Sequence, residues 1–171
     1  MGSYEIKPKD FNESAFKVIG DDWMLITAGN EEDCNTMTAS WGTFGVMWNK
    51  NVVSVVLRPQ RYTKEFVDEN ERFSLTVFDK KYKKDLGYLG SISGRDEKDK
   101  ISKTSLTLDY IDGVPTFKEA RITIIAKKLF VQRFEEDSFL DKTLMEKNYP
   151  NKDYHYMYFA EVEKIIISDD N

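Results

Sequence analysis

The run Val52-Val53-Ser54-Val55-Val56-Leu57 constrains the fold more than any other stretch of the chain. Stiff β-branched side chains disfavour a helix and suit a pleated surface. The run scarcely alternates, so both of its faces need cover, and residues 51–57 read as a central buried strand. Other stretches repeat the β signal. Residues 23–28 form a short apolar run closed by Gly29-Asn30, a turn signal. Residues 39–47 read as a second strand, in which Gly42 and Gly45 suit a bulge or a close backbone approach. In residues 72–78, Phe73, Leu75 and Val77 alternate with Ser74 and Thr76. Residues 121–133 and 154–167 are long β-rich runs. Many strands with mostly short connections predict a mainly β fold, a closed barrel rather than a βαβ sheet.

Helices are fewer and interrupt the strands. Tyr62, Phe66 and Val67 have helical spacing across residues 61–70, and Tyr82, Leu86 and Leu89 repeat it before Ser93-Gly94. Ser138 reads as the N-cap of a helix over residues 139–147 that ends near Pro150. No Pro/Ser-rich linker, internal repeat or low-complexity stretch divides the chain. Its 171 residues suffice to bury a core, so residues 1–171 read as one domain.

Charge and composition exclude several classes of function. A net charge of -5 argues against a nucleic-acid partner, which needs clustered positive charge. Lys80-Lys81 and Lys83-Lys84 are interleaved with acids and read as solvated faces. Cys34 is the one cysteine, so no internal disulfide can form, and its acidic neighbours Glu31-Glu32-Asp33 disfavour the thiolate. One histidine and one cysteine cannot build a zinc site of the usual types. No stretch approaches the ~20 apolar residues of a membrane span, and no apolar h-region opens the chain, so a cytoplasmic location is expected. Neither a Gly-x-Gly-x-x-Gly turn nor a Gly-x-Ser-x-Gly elbow is present.

Three segments carry the chemistry. Asn35-Thr36-Met37-Thr38-Ala39-Ser40-Trp41 groups small hydroxyl side chains beside a large aromatic ring. Arg58-Pro59-Gln60-Arg61-Tyr62-Thr63 sets two guanidinium groups and a hydroxyl around a proline turn that opens a helix. Helix N-termini and guanidinium forks both favour phosphate. The pair offers a polar bed for a planar ligand and a cationic corner for its phosphate. In the third segment, Ser91-Ile92-Ser93-Gly94-Arg95-Asp96 and then Asp99-Lys100-Ile101, a small-residue turn can present N–H groups to an anion. Each segment alone has a blander reading. Thr38 and Ser40 could alternate outward on a strand, and Arg58 and Arg61 could pair with Glu65 or Asp68 at the surface.

Taken together, the segments resemble the flavin reductase-like family of FMN-binding split barrels, which includes the flavoredoxins, over residues 23–167. The resemblance implies a split β-barrel with helical excursions and FMN as cofactor. It implies that a loop over residues 35–41 runs beside the flavin ring, with Asn35, Met37, Thr38, Ala39, Ser40 and Trp41 as contacts. Arg58, Pro59, Arg61, Tyr62 and Thr63 would hold the phosphate, aided by Ser93, Gly94 and Lys100. His155, the only histidine, matches a position often occupied by histidine in members with reductase activity, which implies a catalytic role. NADH or NADPH would be a transient donor, passing a hydride to the flavin for onward transfer to a small acceptor or a redox-partner protein. A homodimer is implied too, and Trp41, Phe44, Trp48, Phe130, Tyr154, Tyr156 and Tyr158 could form its contact face. Two positions depart from the pattern: Leu89-Gly90 stands where many relatives have Cys-Gly, and Ala160 where they have glycine. The residues leave three functions open: an FMN-dependent oxidoreductase, an FMN-holding electron carrier, and a cofactor-free interaction module.

Overall fold

The computed structural model describes residues 2–169. Ten strands form in chain order: β1 (Ser3–Ile6), β2 (Met24–Gly29), β3 (Cys34–Ala39), β4 (Gly42–Met47), β5 (Lys50–Leu57), β6 (Arg72–Val77), β7 (Leu108–Ile111), β8 (Val114–Phe117), β9 (Ile122–Arg133) and β10 (Tyr156–Ser168). A single helical turn, α1 (Ala15–Lys17), precedes β2. Helix α2 (Tyr62–Glu69) follows β5, α3 (Lys83–Ser91) follows β6, and α4 (Lys142–Asn148) lies between β9 and β10.

Eight strands make one antiparallel sheet in the order β3-β2-β6-β9-β10-β5-β4, with β1 added along the far half of β10. The two outermost strands, β3 and β4, are consecutive in the chain and joined only by Ser40-Trp41. Strands so joined cannot lie at opposite ends of a flat sheet, so the sheet must curl into a barrel that is split between them. Strands β9 and β10 supply the long wall. Register shifts at Phe159/Ala160 and Val162/Lys164 add the local bend that curvature needs.

The barrel interior is apolar. Ile26, Val53, Val55, Leu57, Phe73, Leu75, Ile124 and Tyr158 are each 1% exposed or less and belong to one core. Between β10 and β4, β5 is buried on both faces as its almost wholly apolar run requires. A second core outside the barrel joins Leu25, Phe78, Leu86, Leu89, Leu106 and Phe117, seating α3 and the β7–β8 hairpin on the outer face of the sheet. That layer also covers the polar face of β6. Ser74 and Thr76 do alternate with the apolar set, but both are fully buried, and the Ser74 hydroxyl donates to Pro115 O at 2.6 Å.

Several sequence expectations are corrected. The strand expected over residues 39–47 is divided: β3 ends at Ala39, and the chain turns at Ser40-Trp41 before β4. Gly42 does mark a close approach, since a Cβ there would lie 2.5 Å from Ser54 O, whereas Gly45 faces open space. Ser138 does not cap α4; that helix starts at Lys142, and the Asp141 side chain accepts from Thr143 N. Tyr154 and Tyr158 are core residues at 4% and 0% exposure, so they cannot contribute to a contact face. Phe44 is half-buried against Phe11, and Tyr156 carries the Lys64 ammonium 4.1 Å over its ring. Trp41, Trp48 and Phe130 remain exposed.

Candidate functional site

The edge β3, the end of β5 and the start of α2 converge on one rim of the barrel. A cavity of ≈390 Å³ opens there, lined by Met37 to Trp41, Val56, Arg58, Gln60, Arg61 and His155. A smaller cavity of ≈150 Å³ adjoins it, sharing Met37, Gln60 and Arg61 and adding Asn35, Tyr62, Thr63, Leu89, Ile92, Ser93, Gly94 and Lys100. The three segments singled out in the sequence therefore meet. Of the residues expected to contact the cofactor or act in catalysis, Pro59 alone lines neither cavity; it sits exposed in the turn that Arg61 N closes onto Arg58 O at 3.1 Å.

Residues 35–41 are mainly strand rather than loop. Pairing of Met24 through Gly29 with Ala39 through Cys34 fixes their register. Alternation along β3 is modified by what lies on each side. The Thr38 hydroxyl donates to Leu86 O at 2.5 Å, so its proton is committed to α3. Gly90 passes so near Thr38 that a Cβ would sit 3.0 Å from the threonine Cβ. Buried Asn35 donates through Nδ2 to the Thr63 hydroxyl at 2.8 Å, tying β3 to the first turn of α2.

The smaller cavity has the chemistry of an anion site. Helix α2 begins there, and its N-cap residue Arg61 makes no side-chain cap bond. The free N–H groups of a first turn carry partial positive charge. Two cations flank them. Arg61 is 3.2 Å from Gly90 O through Nη1, and Lys100, only 2% exposed, reaches Leu89 O at 3.2 Å and Ile92 O at 2.8 Å. Among the described residues their partners are carbonyls, with no carboxylate ion pair to either. Burial, and after it the Arg61 charge, pushes the Lys100 pKa down to about 8. Burial and then Arg58 lower that of Arg61 in turn. Cations held together away from acids are short of an anion.

Arg58 has a different situation from Arg61. Its Nη1 is 3.0 Å from Asp153 Oδ2, its Nη2 donates to Asn148 O at 2.9 Å, and its guanidinium lies 4.9 Å over the Tyr149 ring. Gln60 donates to the same Asp153 carboxylate at 2.7 Å. Arg58 thus braces the excursion between β9 and β10 against the cavity wall, and its charge is already partly matched. The expected surface partners are otherwise engaged, Glu65 with Arg95 and Asp68 with Lys64.

His155 lies just before β10, 7% exposed, with its ring 5.3 Å from that of Trp41. Its Nδ1 is 2.6 Å from the Tyr149 hydroxyl. Burial, and after it the charge of Arg58, pushes its pKa down to about 4. The imidazole is therefore neutral at pH 7 and can offer a hydrogen bond, but not an imidazolium proton. Sequence reading passed over Tyr149, Asp153 and the cavity role of Val56, Gln60, Leu89 and Ile92. For Val56 the alternation of a strand bounded by Arg58 was a usable signal; for Tyr149 and Asp153 no local pattern exists.

Among the described residues no cluster of His, Cys, Asp or Glu could hold a metal ion, and no helix is long and apolar enough to cross a membrane. Solved structures share the fold. An FMN-binding domain of a flavin reductases-like enzyme from Shewanella baltica superimposes with a TM-score of 0.70 at 16% identity, over 97% of this chain and 77% of that one. A flavoredoxin from Methanosarcina acetivorans gives 0.66 at 19% identity, over 86% and 69%. The styrene monooxygenase flavin reductase from Pseudomonas putida gives 0.63 at 16% identity, over 86% and 80%. No curated protein matches the sequence significantly. The model of the flavin reductase like domain matches residues 19–170, almost the whole chain, and the protein belongs to that family.

Proposed function

We propose that the joined cavities hold FMN and that the protein is an oxidoreductase accepting reducing equivalents from NADH or NADPH. The observation that carries the reading is the pair of cations, Arg61 and Lys100, set at the start of α2 with no carboxylate ion pair among the described residues. Phosphate is the ligand such a corner suits. Arg61, Lys100, Ser93, Gly94 and Thr63 would hold it. The β3 edge from Met37 to Ser40, with Val56 and Trp41, would flank the ring, and Asn35 would keep the two parts in register through Thr63. When bound, FMN supplies the redox chemistry, and the protein orients it and tunes its surroundings. His155, neutral and at the Trp41 side of the larger cavity, would contact the nicotinamide donor as a hydrogen-bonding group.

Anaerobic mixing of the FMN-loaded protein with NADH and, separately, NADPH tests the activity. Bleaching of the flavin absorbance by either nucleotide is the expected outcome. Persistence of the oxidised spectrum with both, alongside reduction by a redox protein, would replace the enzyme reading with that of an electron carrier. Persistence with every donor would remove both.

We also propose a homodimer. Exposed Trp48, just beyond the end of β4, lies beside exposed Phe130 on β9, with the two rings 5.9 Å apart. An apolar patch of this kind at a sheet edge marks association. Light scattering at micromolar concentration should give twice the chain mass; a monomer that still binds FMN tightly would refute the pairing.

A further inference from the structure

We infer that Tyr149 is a positioning residue that fixes His155 in the Nε2–H tautomer, so that the ring presents a neutral N–H to the larger cavity. The two side chains meet at 2.6 Å between the Tyr149 hydroxyl and His155 Nδ1. Either atom could carry the shared proton, and the surroundings decide which does. Tyr149 is 6% exposed, and Nδ1 is the one hydrogen-bond partner its hydroxyl has among the described residues. Were Nδ1 the donor, the hydroxyl proton would be left buried without an acceptor, a costly arrangement. With the phenol donating to Nδ1, its proton is placed. The remaining ring N–H then falls on Nε2, which has no hydrogen-bond partner among the described residues and belongs to a residue lining the cavity. A ligand or water can satisfy it there.

The surrounding structure holds Tyr149 for this task. It closes α4, its N–H donating to Met145 O at 2.8 Å, and its ring packs on those of Phe139 at 5.7 Å and Tyr154 at 5.2 Å. Arg58 covers the ring and bonds the preceding carbonyl, Asn148 O, while Asp153 anchors Arg58. Phe134 N donates to His155 O at 2.9 Å, fixing the backbone under the imidazole. The charged and titratable groups facing His155 are Arg58 and Arg61 from the segment after β5, and Asp153 and Tyr149 from the excursion. The excursion between β9 and β10 therefore presets the hydrogen-bonding polarity of the cavity. A cavity facing an N–H accepts a carbonyl oxygen, such as a carboxamide's; one facing a bare ring nitrogen accepts a donor instead.

The inference rests on the proposed nicotinamide activity only for its kinetic consequence. His155 is the only histidine, so its ring nitrogens are unambiguous in long-range ¹H–¹⁵N spectra of the flavin-free protein. At pH 7 the expected pattern is protonated Nε2 and unprotonated Nδ1, giving way to a mixture of tautomers in Tyr149→Phe. The variant should reduce its flavin roughly tenfold more slowly, below the ~10²–10⁴-fold of a group that itself transfers a proton because part of the molecules keep the Nε2–H tautomer, with FMN affinity within about threefold. A wild-type spectrum with the proton on Nδ1, or an Nε2–H tautomer unchanged in Tyr149→Phe, would overturn the inference. Should Tyr149→Phe not fold, a coupling across the hydrogen bond from the Tyr149 hydroxyl proton to Nδ1 in the wild type decides it, its absence counting against. Failure of both nucleotides to reduce the wild type would refute the activity while leaving the tautomer result intact.

Discussion

Combining Arg61→Ala with Lys100→Met is expected to lower FMN affinity by roughly 10²–10³-fold while riboflavin affinity stays within about threefold. The two flavins differ only by the phosphate, so the ratio of the two losses isolates the charged corner. A hydrogen bond to a charged group contributes about 1.5–3 kcal/mol, which for two independent groups would give ~3–6 kcal/mol. Arg61 and Lys100 are not independent: after burial, the Arg61 charge lowers the proton affinity of Lys100, as Arg58 lowers that of Arg61. Removing one relieves repulsion on the other, so the losses should fall short of additivity. Arg58→Ala, by contrast, should be less selective between the flavins, because its guanidinium is matched by Asp153 and bound to Asn148 O. Titration with both flavins, followed by fluorescence, checks this. Equal losses for FMN and riboflavin in the Arg61/Lys100 double variant would place the phosphate elsewhere.

The same corner predicts a pH dependence whose sign is fixed by Lys100. Its pKa in the flavin-free protein is pushed down to about 8. A phosphate dianion favours the protonated ammonium and raises that value in the complex. FMN affinity is therefore greatest between about pH 6 and pH 8 and declines as pH rises above that window, by up to tenfold per pH unit while only the complex retains the proton. Below about pH 6 the phosphate itself gains a proton and affinity should also weaken. In Lys100→Met the decline above pH 8 should vanish, and riboflavin should lack it in both proteins.

The legible parts of this molecule are those whose physics is local. The almost wholly apolar run of β5 demanded burial on both faces, and the helical spacing of Tyr62, Phe66 and Val67 marked α2 within a residue at each end. The joining of the segments around residues 35–41, 58–63 and 93–100 was legible because each carried a chemistry the others completed. What failed was non-local. Nothing within residues 39–47 says that the chain must cross the barrel split at Ser40-Trp41, since that break is imposed by β3 pairing with β2 and β4 with β5. The alternation of Ser74 and Thr76 with Phe73, Leu75 and Val77 was legible, but not their burial, because the hairpin that accepts the Ser74 hydroxyl lies some forty residues further along. Arg58 and Arg61 looked equivalent in sequence, and only the distant Asp153 and Asn148 separate their roles. His155 looked like a group titrating near neutrality, and burial beneath an aromatic excursion removes that property.

Gly94→Ala should be the most damaging single-methyl change at the site, costing about 1–3 kcal/mol of stability as an overpacked position does, and weakening FMN binding as well. A Cβ there would collide with Asn35 Oδ1, lie 2.9 Å from Asn35 Cγ and 3.0 Å from Tyr62 Cδ1. The far end of a flexible side chain could yield cheaply, but Asn35 is not free. Its amide is held by Thr63 at 2.8 Å, and its backbone is locked in β3 opposite Ala28. Moving Asn35 means breaking a buried hydrogen bond that links β3 to the first turn of α2, where the phosphate corner lies. The backbone of Gly94 is not in a left-handed conformation, so the cost is one of space and not of strain. A double-mutant cycle separates the causes. On an Asn35→Ala background most of the collision is gone, and the added cost of Gly94→Ala should fall below about 1 kcal/mol. Chemical denaturation gives the stability limb and FMN titration the binding limb. If Gly94→Ala keeps full stability and full affinity, the cradle around residues 93–94 is looser than its contacts imply, and the phosphate must rely on Arg61, Lys100 and the start of α2 alone.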